Sequence, residues 1–336
     1  MFVTLKYYDT IITDWREDKI MSKSIYHYCS LETFSQIVKN KTIRLSDLNK
    51  TNDYMEKKWG KDLLYGVLCD ELKRNGIDMN LKEDYWYSDN AHNHMEQLEN
   101  EIKLFLKHQT LIVCFSKESD MLSQWRAYGD DGKGVSIGFD VSMLKRALKG
   151  EKYLFIGDVI YRKDKQIDAL RKGLFTPAFA YMRGMFEAEQ VRCSDVYNEY
   201  FINEFDCFCE VLDRDAEKVF SFMKNPAFKE EKEVRIIYNT GIDDEMEDNY
   251  FLELACQEKM IGTSNKMKLH PIQYAIRDDK LIAHADLSFE KMIKDGIITE
   301  ITLGPKAKVS MDDVYKYLLV NGIYGVDVKE SQASYR

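Results

Sequence analysis

The chain is short of the residues that punctuate or cross-link a polypeptide. Proline occurs 4 times and glycine 17 times in 336 residues, which excludes collagen-like and low-complexity classes. The 7 cysteines are odd in number and form no CxxC pair. In a chain of this size that pattern argues against a disulfide framework and for a reduced, cytoplasmic protein. Long apolar runs are missing too. No window approaches the roughly 18 uncharged apolar residues of a membrane helix, and the opening MFVTLKYYDTIITDWREDKI carries charges throughout, so neither a membrane span nor a signal peptide is expected. Basic charge is in deficit: 48 Lys and Arg against 57 Asp and Glu leave a net charge of −9. No global field attracts duplex DNA, although a local groove for nucleic acid survives the argument. Histidine is scarce. The one close pair, His92-x-His94, has helix-like flanks that would turn the two rings to different faces, so surface histidines are read there and no metal is expected.

What is present is material for a core: 45% hydrophobic residues and 12% aromatics. Length alone suggests two domains, or one core with a large insertion. Residues 1–22 read as an appendage, with Met21 an alternative start to Met1. Residues 23–329 read as a single α+β core and 330–336 as a tail. IYHYCS (25–30), TIRLS (42–46), TLIVCFS (110–116), GKGVSIGFD (132–140), YLFIGDVIY (153–161), EKEVRIIYN (231–239) and ITEITLGP (298–305) have strand character, and QYAIRDDKLIAHADL (273–287) reads as a hairpin turning at Arg277-Asp278-Asp279-Lys280. Ser30 caps a helix whose face carries Leu31, Phe34, Ile37 and Val38. A second helix is read at 309–322, with a closing strand at 324–329. Residues 165–224 lack strand character and read as a helical insertion. Strands at both ends with helices grouped between them predict a split, mostly antiparallel sheet rather than a wound parallel one.

Few residues stand out chemically. Cys29 and Cys114 lie within apolar strands and read as inert core thiols. GDDGKG (129–134) lacks the lysine–serine ending of a P-loop. In EEKEVRII (230–237), period-two alternation puts Glu231, Glu233 and Arg235 on one strand face and Val234, Ile236 and Tyr238 on the other. Either that charged face is the wet side of an edge strand, or it works. His27, a lone imidazole on the first strand, has the same two readings. Asn52, Asp53 and Glu56 read as a helix-entry cap.

Taken together, YHYCS (26–30), IRLSDLNKTNDYMEKKW (43–59), CFSKESDMLSQWRAYGDDGKGVSIGFD (114–140), KNPAFKEEKEVRII (224–237) and ITLGPK (301–306) resemble the domain of unknown function 2971 family, in order, from about residue 24 to 306. The chain departs from the family at Tyr54, where a proline usually follows Asn-Asp, and in a longer helical stretch at 165–224. The block order is in turn similar to that of ADP-ribosyltransferase-like folds, which carry a first-strand His, a central Ser- or aromatic-containing block and a later Glu-x-Glu. This second likeness implies an NAD-dependent transferase or NAD glycohydrolase, cytoplasmic, a bacterial toxin or antiphage effector, with NAD as substrate. It implies that Glu233 stabilises an oxocarbenium-like ribose, that Glu231 orients an acceptor, and that His27 donates to a ribose hydroxyl or the diphosphate. Trp125 or Tyr128 would stack on nicotinamide, and Ser116 falls in the same block. Arg44, Arg126 or Arg235 would meet the diphosphate. Trp125 and Tyr128 equally read as an i, i+3 core pair. On this reading His27, Tyr128 and Glu233 converge on one cleft, the acceptor is a protein, a nucleic acid or a small molecule, and a regulatory protein partner is allowed. The exposed carboxylates would add little to stability, roughly within 0.5 kcal/mol. Two other readings stand beside the transferase: a non-catalytic nucleotide- or nucleic-acid-binding sensor, and an interaction module whose acidic helical insertion docks a partner.

Overall fold

The computed structural model describes residues 23–50, 55–77, 109–151, 153–189, 218–240 and 256–335, with 207–208, 212 and 216 between them. The appendage at 1–22, the His92-x-His94 pair, Asn52, Asp53 and the acidic run at 242–248 fall outside these residues. The chain forms two compact units. One takes in 53–108 and 160–226 besides residues 1–18, and the other is built from 19–52, 109–159 and 227–336.

The second unit is a twelve-stranded sheet, and the fold is α+β. Its first elements follow from local chemistry. β1 (Ser24–Cys29) ends at Ser30, whose hydroxyl accepts from the Thr33 N–H and starts α1 (Leu31–Asn40). Phe34, Ile37 and Val38 are the buried stripe of α1, as their spacing predicts, and Lys41 at φ 57° turns the chain into β2 (Thr42–Asp47). β3 (Thr110–Ser116), α2 being Met55–Arg74 of the other unit, is the hub. One edge of β3 pairs along its whole length with β6 (Glu233–Asn239). The other edge is shared: Ser116 meets Tyr26 of β1, whereas Ile112 and Leu111 meet Ser46 and Asp47 of β2. The sheet therefore splits at β3. His27 stands at the fork and its Nδ1 donates to the Cys114 carbonyl at 3.0 Å.

Outward from β1 come β4 (Val135–Asp140), β11 (Ile298–Leu303) and β12 (Asp327–Glu330); β11 and β12 pair in parallel. Outward from β2 come β10 (Lys280–Ser288), then β8 (Met267–Leu269) and β7 (Lys259–Ile261). β5 (Leu154–Asp158) pairs with β6, and β9 (Gln273–Arg277) with β10. The β9–β10 turn falls where expected, with Asp278 and Asp279 both at positive φ, the conformation of a tight hairpin turn. The core lies on one face: Ile25 and Cys29 of β1, Leu111, Val113 and Phe115 of β3, Val135, Ile137 and Phe139 of β4, Val234 and Ile236 of β6 and Ile301 of β11 are all buried in one cluster. At roughly 25 cal/mol per Å² this continuous apolar face is the main stabilising term.

The unit that includes 160–226 has its own core, with Leu64 and Leu68 of α2 beside Phe175, Phe179 and Phe208. Its described residues between 165 and 224 are helical in α3 (Lys163–Leu170) and α4 (Thr176–Glu189), joined by a π-turn at Arg171–Phe175. Gln166 is buried there and fully used, accepting from Trp59 Nε1 and donating to the carbonyls of Ile160 and Lys224. Among the described residues no helix is long and apolar enough to cross a membrane.

Candidate functional site

Period-two alternation places Tyr26 and Tyr28, Cys114 and Ser116, and Glu233 and Arg235 on the sheet face opposite the core. The face expected to be wet is closed. β6 is flanked by β3 and β5, and Arg235 grips Glu233 bidentately, Nε to Oε1 at 2.6 Å and Nη2 to Oε2 at 3.1 Å, with side chains only 1% and 6% exposed. A carboxylate held this way is a structural counter-ion, and Arg235 is not turned to a diphosphate. Glu231 does not share the strand face either. It ends a 3-10 turn, Pro226–Glu231, and Lys232 at φ 47° breaks the alternation before β6 begins. The Glu231 carbonyl accepts from the Ser116 hydroxyl at 2.8 Å, and that hydroxyl in turn accepts from the Glu118 N–H, so Ser116 is committed within the backbone.

His27 has the parity of Ile25 and Cys29, and its ring stands edge-on to core Phe115 at 5.8 Å between centroids. Burial lowers the imidazole pKa, only partly offset by the hydrogen bond to Cys114. His27 and Glu233 thus sit on opposite faces of one sheet, and the expected convergence on a single cleft is not what the strands build. The Cys29 thiol is buried and its pKa is pushed up, in keeping with an inert core thiol. Ser136 fits the letters Gly134-x-Ser136-x-Gly138, but it lies in mid-strand, fully buried in β4, not on a strand-to-helix elbow.

The central motif makes a different site. Trp125, on the short helix Leu122–Ala127, is wholly buried; its Nε1–H donates to Asp120 at 2.7 Å and its ring meets Tyr28 edge-on at 4.7 Å. It is an interior residue and no stacking platform. Arg126 and Tyr128 of the same turn are exposed. The loop 129–134 then folds on itself. Gly132 and Gly134 donate back to Trp125 and Gly129, and Gly304 and Lys306 donate to Gly134 and Gly132. Glycine is required at 134, where a Cβ would lie 2.0 Å from the Cys29 carbonyl oxygen. These amides are spent within the protein, so the loop offers no phosphate cradle.

Against this loop lies Tyr335. Its ring touches Gly132, a position with φ +83° whose added Cβ would come within 3.2 Å of Tyr335 Cδ1 and of Pro305. Lys306 Nζ stands over the ring at 3.7 Å from the centroid and Arg126 Cζ at 4.9 Å. The hydroxyl donates to Asp131, whose other oxygen accepts from Lys306 at 3.0 Å. The Tyr335 hydrogen bond, then Lys306, hold the Asp131 carboxyl below its usual range. Asp120 anchors the same segment: it accepts from the Ser331 hydroxyl at 2.6 Å and the Gln332 N–H at 2.7 Å. Burial pushes the Asp120 carboxyl up, but these bonds and that from Trp125 outweigh it and leave its pKa low. Lys306, Asp131, Asp120 and Tyr335 are absent from the sequence-based site. The LGPK block and the lone aromatic near residue 336 were the available signals.

Arg44 lies elsewhere, in β2, paired bidentately with Asp286 of β10 at 2.8 and 3.1 Å. Beside it, Asn40, Thr42, His270, Pro271, Gln273 and Asp286 line an open pocket of about 300 Å³. Among the described residues no three His, Cys, Asp or Glu side chains stand together as a metal site.

No curated protein and no solved structure is significantly similar to the chain. A family model does match, over residues 124–236, which run from the turn carrying Trp125 and Arg126 to Ile236 of β6. Over those residues the chain is similar to the family described as a protein of unknown function, DUF2971.

Proposed function

We propose that the chain is a cytoplasmic, non-catalytic nucleotide sensor whose ligand-binding element is the ring site at Arg126, Asp131 and Lys306. The observation that carries this reading is the chemistry gathered around the Tyr335 ring: two cations over an aromatic face, and a carboxylate accepting a hydrogen bond from the ring edge. Arginine and lysine over a ring recognise any electron-rich planar system, nucleobases included. An adenine amine can donate to Asp131 as the phenol does. Lys306, Arg126 and neighbouring Lys133 bring positive charge for a phosphate. NAD, the ligand that the ADP-ribosyltransferase-like likeness implies, has all three features.

The transferase reading has less support. It assigns the chemistry to Glu233, and that carboxylate is bonded to Arg235 within the sheet. The test is a calorimetric panel of ATP, GTP, NAD and ribose 5-phosphate against the full chain. A site that reads the base binds the first three and not the sugar phosphate, and Arg126→Ala weakens binding about tenfold. Equal binding of ribose 5-phosphate, or no binding at all, would overturn the proposal.

A further inference from the structure

Resting on that reading of the ring site, we infer that the segment Ser331–Tyr335 is an intramolecular occupant of the nucleotide site, so that ligand and Tyr335 compete for one place. The two ends of the segment are held very differently. At its start, Ser331 N–H extends the β11–β12 ladder by donating to the Leu303 carbonyl at 2.8 Å. Asp120 then takes the Ser331 hydroxyl and the Gln332 N–H, while the same carboxylate holds buried Trp125. The Ser331 hydroxyl oxygen accepts in turn from Ala333 N–H at 3.0 Å. This end is tied to the interior. At its far end Tyr335 is gripped by Arg126, Asp131 and Lys306, and the Asp131 side chain is half exposed.

Such contacts, in which Arg126 and Asp131 are exposed and Lys306 and Tyr335 partly so, are individually weak and screened by salt. Ser334 and Tyr335 can therefore leave while Ser331 to Ala333 stay anchored, which makes a latch on a fixed hinge. The two cations and the carboxylate that Tyr335 engages are the groups the nucleotide needs, so both cannot be satisfied together. A ligand whose site is open only part of the time binds more weakly by that fraction. The segment thereby sets the concentration at which the sensor responds, and the ordering of 334–335 reports occupancy.

The test compares the full chain with its Tyr335→Ala and Tyr335→Phe variants, titrated calorimetrically with ATP and with NAD. Tyr335→Ala should bind about tenfold tighter than the parent, and Tyr335→Phe, which loses only the bond to Asp131, should fall between them. Hydrogen exchange at Ser334 and Tyr335 should speed up when nucleotide is added to the parent chain, with Gln332 and Ala333 unchanged. Equal affinity of all three chains overturns the latch and leaves the ring-site reading intact. Weaker binding by Tyr335→Ala also overturns it, because the tyrosine would then be part of the binding surface. No binding by any of the three removes the ring-site reading itself, and the latch with it.

Discussion

Two charged places in the second unit look alike in one dimension and are opposites in three. Glu233 and Arg235 satisfy each other inside the sheet, whereas Arg126, Asp131 and Lys306 lie at the surface and are turned toward an aromatic ring. Both clusters mix cations with a carboxylate. The difference is which solvent they face. In the interior a charge pair must be complete, because an unpaired partner would be stranded in low dielectric. At the surface the same groups can exchange partners cheaply, which is what a binding site needs.

The sharpest way to break this contrast is to remove one partner in each place. Glu233→Gln should lower unfolding free energy by about 3–5 kcal/mol in a urea titration, the cost of removing the carboxylate that buried Arg235 grips bidentately. This replaces the near-neutral effect expected of an exposed strand carboxylate. A double change, Glu233→Leu with Arg235→Met, should recover most of the loss, since two apolar groups strand no charge. If Glu233→Gln is neutral, the pair is not the structural element described here.

The surface cluster should respond in binding and not in stability. Asp131→Asn should weaken ATP binding about tenfold, or about 1.4 kcal/mol, and shift the urea midpoint by the equivalent of no more than about 0.5 kcal/mol. A large loss of stability with binding intact would make the cluster a scaffold.

A pH titration probes the interior of the same unit. Burial holds the His27 imidazole below its ordinary value, so the unfolded chain takes up a proton first as pH falls through about 6.5. The neutral ring's contribution is complete above that pH and is lost on acidification toward the lower folded value. Stability followed by urea unfolding should decline from pH 7 to pH 5, and His27→Gln should flatten that slope. The smallest effect is expected at Lys232, whose exposed pair with Glu118 at 2.6 Å should matter by less than about 0.5 kcal/mol when Lys232→Ala breaks it.

Much of the sheet was legible in the sequence because its signals are local. Alternation marked β1 and β6, a continuous apolar run marked β3, Ser30 marked the start of α1, and the two aspartates marked the hairpin turn. The parity of Glu233 and Arg235 was right as well. Their burial was not readable, because the edge-strand reading ended with β5 pairing to the outer side of β6 across some eighty residues of sequence, and no local signal announces that pairing. Glu231 was misplaced because a single positive φ at Lys232 resets the alternation, and lysine gives no warning of it. β7 and β8 are three residues each, too short for any period to register. The ring site joins a helical turn at 126, a loop at 131, a strand exit at 306 and an aromatic at 335, and no spacing rule connects them. The glycines of the central block are explained by close backbone packing.

The central claim is that this chain binds a nucleotide at Arg126, Asp131 and Lys306 and does no chemistry at Glu233. It is tested most directly by measuring NAD binding and nicotinamide release on the same preparations of the parent chain and Arg126→Ala. The account predicts saturable NAD binding at one site per chain, weakened about tenfold by Arg126→Ala, with nicotinamide released no faster than in buffer alone. Catalytic release of nicotinamide by the parent chain, undiminished in Arg126→Ala, would contradict it.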